Sequence, residues 1–190
     1  GLLGMNPEND YLVDKKALEK TSRFLFKQKL FFNGPITDRS NLRDFIAQTA
    51  PNFLCNFVIE NGKYSLTPAV PTNNAGEIKS GSTEPVKVKQ IFSAGNILEN
   101  SYKLDYLGSE ERRSFKAVVR FRQERKNKLP EEQVIIVTGS DVSDDFKTPG
   151  TQELPEEQFD LTQFCTTREH AYKVARYFLA LRAYVTHTIS

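Results

Sequence analysis

Tryptophan is absent from these 190 residues, methionine occurs once, and histidine and cysteine occur twice each. No long hydrophobic run exists either. Val134-Ile-Ile-Val137 is a strand's worth of aliphatic chain, against the roughly 20 residues that a membrane-spanning helix needs. No basic start followed by an apolar block marks a secretory signal. The histidines, His170 and His187, have no Cys or carboxylate at a metal-ligand spacing such as H-x-x-x-H. No G-x-S-x-G, P-loop or dinucleotide fingerprint occurs; Gly76-x-x-x-x-Gly81 is followed by Ser82, not Lys. Asp141, Asp144 and Asp145 lack the central Gly and terminal Glu of a calcium loop and read as a solvated turn. Cys55 and Cys165 lie far apart in apolar contexts, which predicts buried free thiols and intracellular synthesis. The expectation is therefore of no catalytic, cofactor or metal site. A net charge of +2 gives no global reason for nucleic-acid binding.

What is present is a folded globular composition, 38% apolar and 26% charged, with a core rich in aromatics from 14 Phe and 7 Tyr. The pattern predicts a helix over 14–29 capped by Asp14, a short strand at Leu30–Phe32, and a turn or bulge at Asn33-Gly34-Pro35. A second helix, capped by Ser40 or Asn41, runs through Ala50 until Pro51 stops it. Two strands then flank Asn61-Gly62, a type I′ hairpin signal. Residues 10–68 thus form a small helix–strand–helix–hairpin lobe, and the Pro/Gly/Ser-rich stretch 69–85 reads as a surface linker.

Residues 86–190 predict a β-rich lobe closed by a long amphipathic helix, for an α+β fold overall. Lys87–Phe92, Ser101–Leu107, Phe115–Arg122 and Val134–Thr138 are its strands. In Phe115–Arg122, Phe115, Ala117, Val119 and Phe121 face one way and the basic residues the other, with Val118 out of place. Gln123–Gln133 reads as a charged loop, and Gly139–Glu157 as polar and acidic. Thr166 and Glu169 have capping-box spacing, and Ala171, Val174, Ala175, Phe178, Leu181 and Val185 form one helical stripe. The alternating end, Tyr184–Ser190, reads as a strand beginning, which suggests a fragment of a longer chain.

One region has a tempting functional reading. Between Arg112 and Lys128, basic residues interleave with Phe115 and Phe121, as in a nucleic-acid platform. Arg112, Arg113, Lys116, Arg120 and Arg122 form the candidate interaction surface. However, the rings sit on the face opposite most of the charges, and five glutamates (110, 111, 124, 131 and 132) dilute the field.

Three stretches, in order, resemble the central region of tail-tip hub proteins of long-tailed bacteriophages, the family of host-specificity protein J. They are Phe31-Phe-Asn-Gly-Pro-Ile-Thr37, with its following helix and the Glu60–Leu66 hairpin; Gly95-Asn-Ile-Leu-Glu-Asn-Ser-Tyr102, where Asn96, Ile97 and Ser101 carry the motif; and Phe159-Asp-Leu-Thr-Gln-Phe-Cys-Thr-Thr-Arg-Glu-His-Ala171. The resemblance implies a barrel-like second lobe and a structural role, not an enzyme. It implies a homotrimer of the full-length protein around the tail channel, touching the distal tail ring, the tape-measure protein and the receptor-binding parts. The expected location is the virion tail, assembled in the bacterial cytoplasm without specific nucleic acid or a membrane span. The alternative is a nucleic-acid- or glycan-binding module using the basic strand 112–128.

Overall fold

The structure, a computed structural model, describes residues 11–36, 41–79, 95, 102–108, 111–126, 128–142 and 154–189. The fold is α+β. The first helix, α1 (Lys15–Gln28), starts where the Asp14 carboxylate accepts the Ala17 N–H, leaving one fewer exposed donor. It ends at Lys29, whose left-handed backbone lets its N–H close on the carbonyls of Leu25 and Phe26. Thr21 and Phe24 are buried, and the Thr21 hydroxyl donates to the Leu66 carbonyl.

The predicted strand at Leu30–Phe32 does not form. After the left-handed turn the chain is irregular, with no strand beside it among the described residues, and the Asn33 N–H donates to the Phe164 carbonyl at 2.9 Å. The second helix, α2 (Leu42–Thr49), is capped by Asn41 and gives way to a 3-10 turn, Ala50–Phe53, that carries Pro51 near its start. The hairpin formed by β1 (Cys55–Glu60) and β2 (Lys63–Pro68) turns at Asn61 and Gly62, both with positive φ, as a type I′ turn requires.

Residues 69–79 lie along α1. A Cβ on Gly76 would fall 2.6 Å from the Arg23 carbonyl carbon, and Val70 packs on the core. The predicted strand Lys87–Phe92 lies outside the described residues. From Ser101–Leu107, only β3 (Leu104–Tyr106) is strand, paired antiparallel with β7 (His187–Ile189).

The main sheet has the order β5-β4-β6, built from β4 (Lys116–Arg125), β5 (Lys128–Val137) and β6 (Glu156–Asp160). β6 is parallel to β4. The expected charged loop at 123–133 is instead strand. Arg122 stands opposite Glu132 and Gln123 opposite Glu131, so the charges of this segment serve as cross-strand partners rather than as loop solvation. Among the described residues the seven strands fall into three separate sheets, and none closes on itself. The expected barrel is therefore corrected to an open three-stranded sheet, because β4 alone has strands on both sides.

The final helix, α3 (Arg168–Tyr184), covers the inner face of β4 and β5. Thr167, not Thr166, is its cap. The buried face is His170, Ala171, Val174, Ala175 and Leu179; Leu181, expected on that stripe, is 38% exposed. One core joins both halves of the chain. Phe24, Leu30 and Phe53 belong to the same cluster as Val119, Phe164 and Val174, and Phe164 lies in ring contact with Phe32 at 5.5 Å and with Phe53 at 5.1 Å.

Candidate interaction surface

Strand alternation sorts the side chains of β4 between core and solvent. Phe115, Ala117, Val119 and Phe121 are each 1% exposed or less, whereas Lys116, Val118, Arg120 and Arg122 occupy the opposite face. Both phenylalanine rings are thus spent on the core, and neither can stack on a base.

Two cations of the open face, Lys116 and Arg120, are matched by neighbouring strands. Arg120 Nε donates to Glu132 Oε1 at 2.9 Å. Lys116 lies 3.7 Å from Glu156, its direct partner in the parallel register; beyond the register shift, toward the hairpin tip, Arg125 pairs with Glu131, which stands opposite Gln123 on the other face of the ribbon. Asp160 stands opposite Arg120. Its carboxyl is held below the ordinary range, first by the Thr162 hydroxyl and N–H and then by the charges of Arg120 and Arg122. On this sheet face Val118, Val134 and Ile136 lie among the Lys116–Glu156 and Arg120–Glu132 pairs, and Arg122 stands opposite Glu132 in register.

The five candidate residues are not gathered into one patch. Lys116, Arg120 and Arg122 share the open face. Arg112 lies before the strand, and its guanidinium donates to the Ala183 carbonyl at the end of α3 (3.4 Å). Arg113 precedes the strand as well and makes contacts of its own.

A second feature was not singled out from sequence. Beside the start of β4, a cleft of about 410 Å³ is lined by Phe115 and Phe159 on the sheet side and by Phe178, Leu181 and Val185 at the end of α3. Arg182 crosses it, bonding both Glu157 oxygens (2.8 and 3.1 Å) with its guanidinium 4.8 Å from the Phe115 ring centre. The legible signal was the alternation of Glu157 and Phe159, which spans the boundary between the stretch Gly139–Glu157 read as polar and acidic and the segment beginning at Phe159.

Among the described residues, His170 and the two thiols are held inside the core. His170 is buried, and its Nε2–H donates to the Asn52 carbonyl at 2.9 Å, since a carbonyl can only accept. Burial pushes its pKa down; the Asn52 carbonyl opposes this in part, and Lys173 adds to it. Cys55 and Cys165 are buried free thiols. Burial pushes Cys55 up to about 12 and raises Cys165 too, so both stay protonated and unreactive at neutral pH. Asp141 closes a capping box on Thr138 at the short turn Gly139–Asp141; Asp144 and Asp145 lie outside the described residues. Among the described residues, no three His, Cys, Asp or Glu side chains are grouped to hold a metal, and no helix is long and apolar enough to cross a membrane.

The chain matches no protein-family model and no curated protein sequence.

Proposed function

We propose that this chain is a structural, non-catalytic part of a phage or prophage tail tip, a hub-type subunit that organises the distal tail and supports host attachment. The observation that carries this reading is the meeting of two of the stretches on which the family resemblance rests. Asn33 and Gly34, from the first, dock on the loop 161–167 of the third. The Asn33 N–H reaches the Phe164 carbonyl, and its side-chain amide reaches the Thr166 hydroxyl at 2.8 Å. Gly34 lies so close to the Gln163 carbonyl that any side chain would collide with it. Residues up to 133 positions apart that belong to this ordered set of stretches and also touch act as one structural unit.

In this reading the full-length protein is a homotrimer in the virion tail, assembled in the bacterial cytoplasm. Its partners are the distal tail ring, the tape-measure protein and the receptor-binding parts, with no specific nucleic acid. The test is immunogold labelling of tagged particles from the phage or prophage that encodes it, with mass spectrometry of the purified virions. Label confined to the distal tail supports the reading. Particles that lack the chain, or carry it in the head, overturn it.

A further inference from the structure

The two ends of β4 carry features that its own chain leaves unmatched. At the start lies the aromatic cleft described above. Arg182 is neutralised there by Glu157, and Arg112 faces the carbonyl end of α3. Glu111 is the remaining charge on the rim. It is exposed, accepts the Gly108 N–H at 2.7 Å, and makes no ion pair among the described residues. The cleft therefore offers an apolar floor with one unmatched negative group.

The other end of the strand is the β4–β5 hairpin tip, where Arg125 pairs across to Lys128. Leu129 beside it is 89% exposed, more than any other large hydrophobic among the described residues. Lys126 and Lys128 are exposed as well and make no ion pair among the described residues, whereas nearby Arg125 is matched by Glu131. An apolar knob flanked by two ammonium groups that are unpaired among the described residues complements the cleft in shape class and in charge.

The two features cannot meet within one molecule. Ten residues of extended strand separate them, about 30 Å at the usual rise. Any contact between them must join two copies, and it is heterologous: each copy offers a knob at one end and a cleft at the other.

We propose that the hairpin tip of one copy docks in the cleft of the next, with Leu129 entering between Phe159, Phe178 and Leu181 and the flanking lysines meeting Glu111. This contact would give a hub ring a subunit interface, yet it does not depend on the hub reading. Particle labelling decides the hub, and mixing of purified variants decides the contact. So small an interface holds copies together weakly, and its lysine–glutamate component weakens with salt.

The test is sedimentation velocity of the whole chain across micromolar to sub-millimolar concentrations, with two variants. Leu129→Asp removes the knob, and Leu181→Asp charges the cleft wall at a side chain already partly exposed. Circular dichroism establishes that both fold. Each variant alone should lose self-association by about tenfold or more, the equivalent of 1.4 kcal/mol. An equimolar mixture should still form a 1:1 dimer, because the knob of Leu181→Asp and the cleft of Leu129→Asp remain intact. Glu111→Lys should weaken wild-type association, and pairing it with a Lys126→Glu, Lys128→Glu chain should restore it. A wild-type chain that stays monomeric throughout overturns the proposal. So does association unchanged in both variants, which would place the contact on another surface such as the free edge of β5, and so does a mixture that fails to dimerise.

Discussion

Protonating His170 would place a positive charge between the rings of Phe53 and Phe164, in a site already facing Lys173 on its own helix. The folded state holds this pKa below the unfolded value of 6.5. Between the two values the unfolded chain binds the extra proton, so stability is complete above about pH 6.5 and is lost as pH falls toward the folded pKa. Urea unfolding at about pH 7.5 and about pH 5 should show this loss in the wild type. It should be smaller in His170→Gln, whose amide can still donate to Asn52 but does not titrate. Equal acid sensitivity of the two proteins would assign the effect to other groups. Gly34 is limited by space rather than by its φ. A Cβ there would lie 1.7 Å from the Gln163 carbonyl oxygen, which is backbone and cannot swing away. Gly34→Ala should therefore cost about 2–3 kcal/mol or more, as overpacking does, and loosen the docking of the 31–36 segment. Thermal denaturation measures it, and an unchanged midpoint would show that the loop yields freely.

At the scale of elements, α3 separates what a periodicity can say from what a contact decides. Leu179 and Leu181 stand two residues apart in one helix, yet the first is 4% exposed and the second 38%. Leu179→Ala should cost about 2–4 kcal/mol and Leu181→Ala under about 1 kcal/mol, by chemical denaturation. At the helix start, Thr167→Ala should cost about 1 kcal/mol through loss of the His170 N–H acceptor. Thr166→Ala removes only a partner of the exposed Asn33 amide, so it should cost less. The reverse order would restore Thr166 as the cap. The predicted capping box failed because Thr166 and Thr167 are adjacent and chemically equal; which of them caps is set by the docking of Asn33 on Thr166. The β4–β5 hairpin was hidden by the same kind of limit. Its far half is solvated on both faces, so polarity suggested a loop where pairing between the strands makes a ribbon.

For the whole molecule, the open sheet face decides how the basic strand behaves. Lys116, Arg120 and Arg125 are engaged by Glu156, Glu132 and Glu131. A phosphate would have to displace a carboxylate at each of these sites. Duplex binding through several phosphates would show a log-log salt slope of about −0.9 per phosphate neutralised. The expected result is instead no binding at micromolar protein and physiological salt, by fluorescence anisotropy, with no change in Arg120→Gln, Arg122→Gln protein. Tight, salt-sensitive binding lost in that variant would move the functional reading to a nucleic-acid module. The ion pairs themselves are exposed and should each contribute under about 1 kcal/mol, so the double variant should remain folded.

Local rules by themselves determined the helix starting at Asp14, the Asn61-Gly62 hairpin, the inward alternation of Phe115, Ala117, Val119 and Phe121, and the aromatic character of the core. Each rests on a capping side chain, a turn residue or a period confined to a few neighbouring positions. Tertiary structure decided the rest. Glu156–Asp160 became a parallel strand because β4 had an open edge and Phe159 a place in the core beneath it. Leu30–Phe32 stayed irregular because, among the described residues, no strand lies beside it. The cleft at the start of β4 exists only where side chains from the segment before β4, from β6 and from the last turns of α3 converge. Such convergence depends on which distant segments become neighbours, and a residue's sequence context carries no record of that.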